Sequence, residues 1–195
     1  MLNLKTLKIS DYKCLLFDFD GTLVNSREAN FQAYRGAAND FGLKLERNKF
    51  FEHWGKDALE FLPSIFPALA SQEIEQIRKN KPVYFERYLE LVTLNTELFK
   101  LITDDAIEHK IALVTTAKKA SIELIFNKFN LAKWFDVLIT GDEQIQPKPS
   151  PAPYLLALDR LNCAAHEAVA FEDSEVGIRS AQSAQIDVVK IDFKS

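Results

Sequence analysis

Several things are scarce in this chain, and each shortage closes off a class of protein. Only two cysteines occur among 195 residues. Two are too few for a disulfide framework. Cys14, inside an apolar run, and Cys163, near a helix end, are therefore expected to be free thiols in a reducing compartment. No apolar stretch is long enough to span a bilayer, so no membrane partner is expected. The start, Met1-Leu2-Asn3-Leu4-Lys5, lacks the apolar segment of a secretion signal. Together these make a cytoplasmic location the expectation. Basic runs are missing as well, and the formal net charge is −4, which argues against a nucleic-acid surface. What the chain does have is apolar residues, 47% of the total, enough to bury a good core as one domain or one domain plus an insert.

The most informative stretch is Phe17-Asp18-Phe19-Asp20-Gly21-Thr22-Leu23. It ends an apolar run, Lys13-Cys14-Leu15-Leu16-Phe17, that has the pattern of a buried strand. Asp18 and Asp20 then point to the same side at the strand end, and Gly21 lets the backbone turn sharply. In open α/β sheets that end of the strands is where ligands bind. A carboxylate there can attack phosphorus and divide a hydrolysis into two displacements. A second acid can protonate the leaving oxygen and later activate water. Two anions facing a phosphate repel it and each other, so a divalent cation is nearly obligatory, and hard oxygen ligands favour Mg²⁺. The plainer alternative is a turn, because Asp-Gly is a common turn pair.

Three later stretches follow in order: Ile111-Ala112-Leu113-Val114-Thr115-Thr116, Pro147-Lys148-Pro149-Ser150-Pro151, and Val169-Ala170-Phe171-Glu172-Asp173-Ser174 with Glu175-Val176-Gly177-Ile178-Arg179. With the first heptad, these resemble the four motifs of the haloacid dehalogenase-like hydrolases, over residues 13 to 191. The resemblance implies a Rossmann-like parallel sheet flanked by helices, an α/β fold with an inserted α-helical cap. It also implies a Mg²⁺-dependent phosphatase acting through an aspartyl-phosphate at Asp18, with Asp20 as acid and base. By the same resemblance Asp173 ligates the metal together with Asp18 and the Asp20 backbone carbonyl, and Glu172 ligates it or orients a metal-bound water.

The later residues also have reasons of their own. Thr115 offers a hydroxyl at a strand end, and Thr115 and Thr116 offer N–H groups to phosphate oxygens; alternatively Thr115 is a strand-end threonine that simply satisfies local backbone. Backbone around Phe19, Gly21 and Thr22 is expected to join them. Lys148 can set a positive charge against the phosphate and Asp18; alternatively it is a solvated loop lysine. The run Asp173-Ser174-Glu175 is equally a helix start, and both readings can hold at once.

After about residue 95 strands and helices alternate. Helices are expected over Glu97 to Glu108, Ser121 to Phe129, Ala152 to Leu161 and Glu175 to Ala184. Strands are expected at Ile111 to Thr115, Phe135 to Thr140, Ala168 to Phe171 and Val188 to Ile191. Such alternation predicts a parallel sheet, with the first strand central and the Phe171-Glu172-Asp173 strand beside it. Residues 25–94 break the alternation. Ala29, Phe31, Ala33, Tyr34, Ala37, Ala38 and Phe41 fall at helical spacing and are closed by Gly42. Further helices are expected near Lys49 to Trp54, Ala58 to Phe66 and Ser71 to Leu91, divided or started by Pro63, Pro67 and Pro82. The expected organisation is a core of residues 1–24 and 95–195 with a helical cap of 25–94, which carries specificity by closing over the site. Arg27, Arg35, Lys56 and Lys118 are the candidates to neutralise a second anionic group, although for any single one of them an ordinary solvated surface charge is the favoured reading.

The chain departs from the family pattern at Asn25, at Leu94-Asn95-Thr96 and at Ala184-Gln185, where glutamine is uncomfortable in a left-handed cap. Asp20 sets the chain apart from the dehalogenase members. Asn30, where related mutases often carry histidine, disfavours a phosphomutase, which remains an alternative alongside an idle phosphate-ligand binder. A small phosphorylated molecule is the expected partner, and a monomer or weak dimer the expected state.

Overall fold

The computed structural model describes residues 4, 6–56, 58–103 and 108–193. The chain divides into two compact units, Met1–Asn25 with Thr93–Ser195, and Ser26–Val92.

The first unit is built on a five-stranded sheet. Its strands are β1 (Cys14–Phe17), β4 (Lys110–Val114), β5 (Val137–Ile139), β6 (Ala168–Glu172) and β7 (Asp187–Lys190), in the order β5-β4-β1-β6-β7. All four pairings are parallel. β1 is central and β6 lies beside it, as the alternation predicted. Strands of such a sheet are buried on both faces, which is why β1 is a continuous apolar run and β6 is one up to its last residue, Glu172. Cys14, Leu16, Ala112, Val114, Ala168 and Ala170 form a core with Tyr154, Ala157 and Leu158 of α7 (Ala152–Leu161) and Ile178 and Ala181 of α8 (Glu175–Ser183). Their alternates point to the opposite face, where the Phe17 and Phe171 rings stack 4.7 Å apart. The register pairs Phe17 with Leu113 and with Phe171, so the three central strands end side by side. Also in this unit are α5 (Thr96–Thr103) and α6 (Lys119–Phe129). The sequence-based extension of α5 as far as Glu108 crosses residues 104–107, which lie outside the described residues.

A feature without a sequence signal is a two-residue ladder, β2 (Val24–Asn25) against β3 (Thr93–Leu94), antiparallel. It pairs the points where the chain leaves this unit and returns to it.

The second unit is helical: α1 (Arg27–Asn39), α2 (Arg47–Glu52), α3 (Ala58–Ile65) and α4 (Ser71–Arg87). Phe31, Phe50, Phe61, Leu62, Ile74 and Ile77 form its core. Two prolines expected to bound helices lie inside them instead, Pro63 in α3 and Pro82 in α4. A proline removes one helical hydrogen bond. The buried anchors on either side, Ile77 and Phe85 in α4, hold the helix through the gap.

The expectation of free thiols is corrected by a disulfide between Cys14 and Cys163. The cysteines are 149 positions apart. The sheet brings the first residue of β1 to the residue that follows Asn162, the left-handed cap of α7. The thiol-based argument for a reducing compartment therefore falls away. Among the described residues no helix is long and apolar enough to cross a membrane.

Candidate active site

Asp18 is the first residue past β1, and its N–H donates to the Phe171 carbonyl (3.0 Å), continuing the ladder by one step. Its side chain is 13% exposed. Glu172 ends β6 and is wholly buried, with Asp173 next to it half-buried. Asp18, Glu172 and Asp173 each offer a carboxylate oxygen, and these lie within 4.8 Å of one another. Two glycines make room for the acids. A Cβ on Gly21, whose φ is +95°, would sit 2.1 Å from Asp173 Oδ2. A Cβ on Gly177 would sit 2.0 Å from Glu172 Oε2. The helix-start alternative for Asp173 resolves in favour of its neighbour: the Ser174 hydroxyl accepts the Gly177 N–H (3.1 Å) and caps α8.

Lys148 enters this group from the loop before α7, one residue ahead of a cis-proline, Pro149. Its ammonium donates to Asp18 Oδ1 (2.8 Å), the Val114 carbonyl (2.8 Å) and Glu172 Oε1 (2.5 Å). It is a buried lysine, not the solvated one that was its alternative reading. Burial alone lowers the pKa of an ammonium, but the charges of Asp18 and Glu172 outweigh that and hold Lys148 firmly protonated. For Glu172, burial and the Asp18 charge push the carboxyl up against the pull of Lys148 and Tyr154.

The remaining predicted residues divide. Thr115 is buried at the end of β4; its N–H donates to the Ile139 carbonyl (2.9 Å) and its hydroxyl accepts the Ala117 N–H (3.0 Å). Thr116 is exposed. The Lys118 ammonium is drawn to the Gly141 carbonyl (2.6 Å) and to Asp142 (3.3 Å). Asp142 also accepts the Lys119 N–H, and that bond is the leading cause of its lowered pKa. Asp20 is half-buried and outside the acidic trio. The Phe19 ring is core, edge-on to Phe126 at 5.8 Å, so only its backbone can serve the site. The Gly21 N–H is spent on the Val24 carbonyl (2.7 Å). Thr22 is buried, with its carbonyl accepting from Asn95 (3.0 Å). In the helical unit Lys56 is exposed, while the Arg27 and Arg35 guanidiniums lie over the rings of Trp54 (5.3 Å) and Phe31 (5.6 Å).

Sequence reasoning missed Tyr154. Its hydroxyl donates to Glu172 Oε1 (2.5 Å) and its ring lies 5.2 Å from the Lys148 ammonium. Burial and the neighbouring Glu172 and Asp18 charges push its pKa well up, keeping the hydroxyl protonated. Six positions after Lys148 and inside an apolar run, it has the signature of an ordinary core aromatic.

Comparison with known proteins gives the arrangement its lineage. The family described as haloacid dehalogenase-like hydrolase matches residues 15–191. The chain belongs to that family. A phosphorylated carbohydrates phosphatase of Thermotoga maritima is 32% identical to this hydrolase over 181 residues, spanning 90% of this chain and 82% of the relative. A phosphoglycolate phosphatase of Colwellia psychrerythraea is 27% identical, spanning 96% of this chain and 87% of its own. Among solved structures, CbbY of Rhodobacter sphaeroides in complex with phosphate superposes with a TM-score of 0.82 at 26% identity, covering 91% of the hydrolase and 84% of CbbY.

Proposed function

We propose that this hydrolase is a Mg²⁺-dependent phosphatase that cleaves a small phosphate monoester through an aspartyl-phosphate on Asp18. The observation that carries the reading is Asp18 itself: a nearly buried carboxylate at the end of the central strand, gripped by a buried lysine and flanked by two further carboxylates. The names of the relatives agree with it, since two act as phosphatases on phosphorylated carbohydrates and phosphoglycolate.

The residues fit a divalent cation. One ammonium stands against three carboxylates, and Glu172 Oε2 is buried without a hydrogen-bond partner. Oxygen donors alone suit a hard ion such as Mg²⁺. Asp18, Glu172 and Asp173 would hold it, with the Asp20 carbonyl; when bound it neutralises phosphate charge and draws electron density from phosphorus.

The chain's own residues do the rest. Asp18 attacks phosphorus in line, and the bond to the leaving alcohol breaks as the acyl-phosphate forms. Lys148 aims Asp18 through the bond to its Oδ1 and offers positive charge to the equatorial oxygens as charge spreads over them. Asp20 gives its proton to the departing alkoxide, then takes one from the water that cleaves the intermediate. Thr115 and the backbone of the loop after β1 orient the phosphoryl group. The helical unit acts as the cap and selects the non-reacting part of the substrate, with Lys56 as a candidate contact. Lys118, held by Gly141 and Asp142, is better suited to fixing the loop after β4.

The test is phosphate release from a panel of phosphorylated metabolites, with Mg²⁺ and with a chelator, for the wild type and Asp18→Asn. Chelator-sensitive turnover that Asp18→Asn lowers by at least about a thousandfold, with the fold intact, is the expected result. Retained turnover in the variant would remove Asp18 as nucleophile. Silence of the wild type across the panel would favour a mutase or an idle binder.

A further inference from the structure

We infer that Tyr154 is a positioning residue whose hydroxyl fixes the Glu172 carboxylate within the acidic trio, so that the trio's affinity for Mg²⁺ depends on a side chain that never touches the ion. The inference rests on the metal-binding reading proposed above.

The argument is one of donor counting. A carboxylate with both oxygens buried is aimed by whatever donates to it. Glu172 is 0% exposed, and the described residues supply Oε1 with two donors, Lys148 and Tyr154. Lys148 has three protons and spends them on Asp18, the Val114 carbonyl and Glu172. It has none to add, and its long stem leaves the direction of any one bond soft. The Tyr154 hydroxyl stands on a rigid ring that is fully buried in α7. On the other side both oxygens fill the space that a Cβ on Gly177 would take, 2.0 and 2.2 Å from where it would be. Between hydroxyl and glycine the carboxylate is held in one orientation, with Oε1 saturated and Oε2 left without a partner. Loss of the hydroxyl frees the group to rotate and to share Lys148 between either oxygen.

Tyr154→Phe tests this cleanly, because the ring, its packing and its contact with the ammonium all remain. Mg²⁺ binding is measured by titration calorimetry on the full chain without substrate. Outer-sphere partners of metal-binding groups are typically worth tenfold or more, so the dissociation constant is expected to rise about tenfold. Leu158→Ala, elsewhere on α7, is the packing control: it should lower the melting temperature yet leave Mg²⁺ affinity within about twofold. In a Glu172→Gln background, Tyr154→Phe should change affinity less than about twofold, since the two act as a unit. Equal affinity in wild type and Tyr154→Phe overturns the inference, as does a loss matched by Leu158→Ala or undiminished in the Gln background. A wild type that binds no Mg²⁺ overturns the metal reading as well, which keeps the two failures apart.

Discussion

The sheet unit and the helical unit treat charge in opposite ways. In the sheet unit acidic and basic groups go inside: the Asp18, Glu172 and Lys148 side chains are buried together at the strand ends, with Lys148 bridging the two acids. In the helical unit the interior is aromatic and aliphatic, and cations lie across ring faces at its surface. Arg47 over Phe51 (4.6 Å) and Lys81 over Phe85 (4.3 Å) are examples. Burying charge is costly unless every partner is in place, and stability is seldom what it returns. Among the described residues the buried carboxylates are Asp18 and Glu172, at the point proposed above as the site of chemistry.

Three substitutions press on this contrast. The largest effect is expected from Lys148→Met, which strands two buried carboxylates. It should cost about 3–5 kcal/mol by denaturant unfolding. Added Mg²⁺ should recover part of the loss, since an ion bound to the folded state stabilises it. An inert Lys148→Met would mean that the two buried carboxylates do not depend on the lysine. Phe50→Ala comes next, removing the ring that meets Phe31, Tyr34, Phe51, Trp54 and Phe61. About 3 kcal/mol is expected, while calorimetric Mg²⁺ affinity stays unchanged if metal binding belongs to the sheet unit alone. The smallest effect is expected from Arg47→Met. Arg47 is an exposed cation paired with Glu28 at 3.1 Å, and its loss should shift stability by no more than about 0.5 kcal/mol in the same unfolding assay. A larger loss would mean that ring-covered cations hold the helical unit together.

Much of the sheet was legible because buried parallel strands announce themselves as short apolar runs with polar residues at their ends. Asp18, Thr115 and Glu172 each follow or close such a run, so their convergence could be anticipated from the topology. What escaped notice depends on distance in space. Cys14 and Cys163 are joined by packing that no local pattern encodes, and the Tyr154 hydroxyl cannot be told from a core aromatic without its partner. The β2–β3 ladder is too short to have a period, and Pro82 overrides a local rule because flanking anchors are buried. At Gln185 the discomfort foreseen for glutamine is real: φ is +61°, where the Ile186 N–H reaches the Ala181 carbonyl (3.1 Å) and the Gln185 N–H the Gln182 carbonyl (2.9 Å). That turn keeps a glycine-like geometry without the glycine.

The disulfide has a topological consequence. It makes a covalent ring of residues 14–163. The whole helical unit lies within the circle, and Glu172 and Asp173 lie on the tail beyond it. A single peptide-bond cut in the helical unit would therefore open the ring without dividing the molecule. The part bearing Asp18 and the part bearing Lys148 would stay tethered through sulfur, and the two fragments would separate on a gel only after reduction. The crosslink thus makes the chemistry of the sheet unit covalently indifferent to a break in the unit that interrupts it.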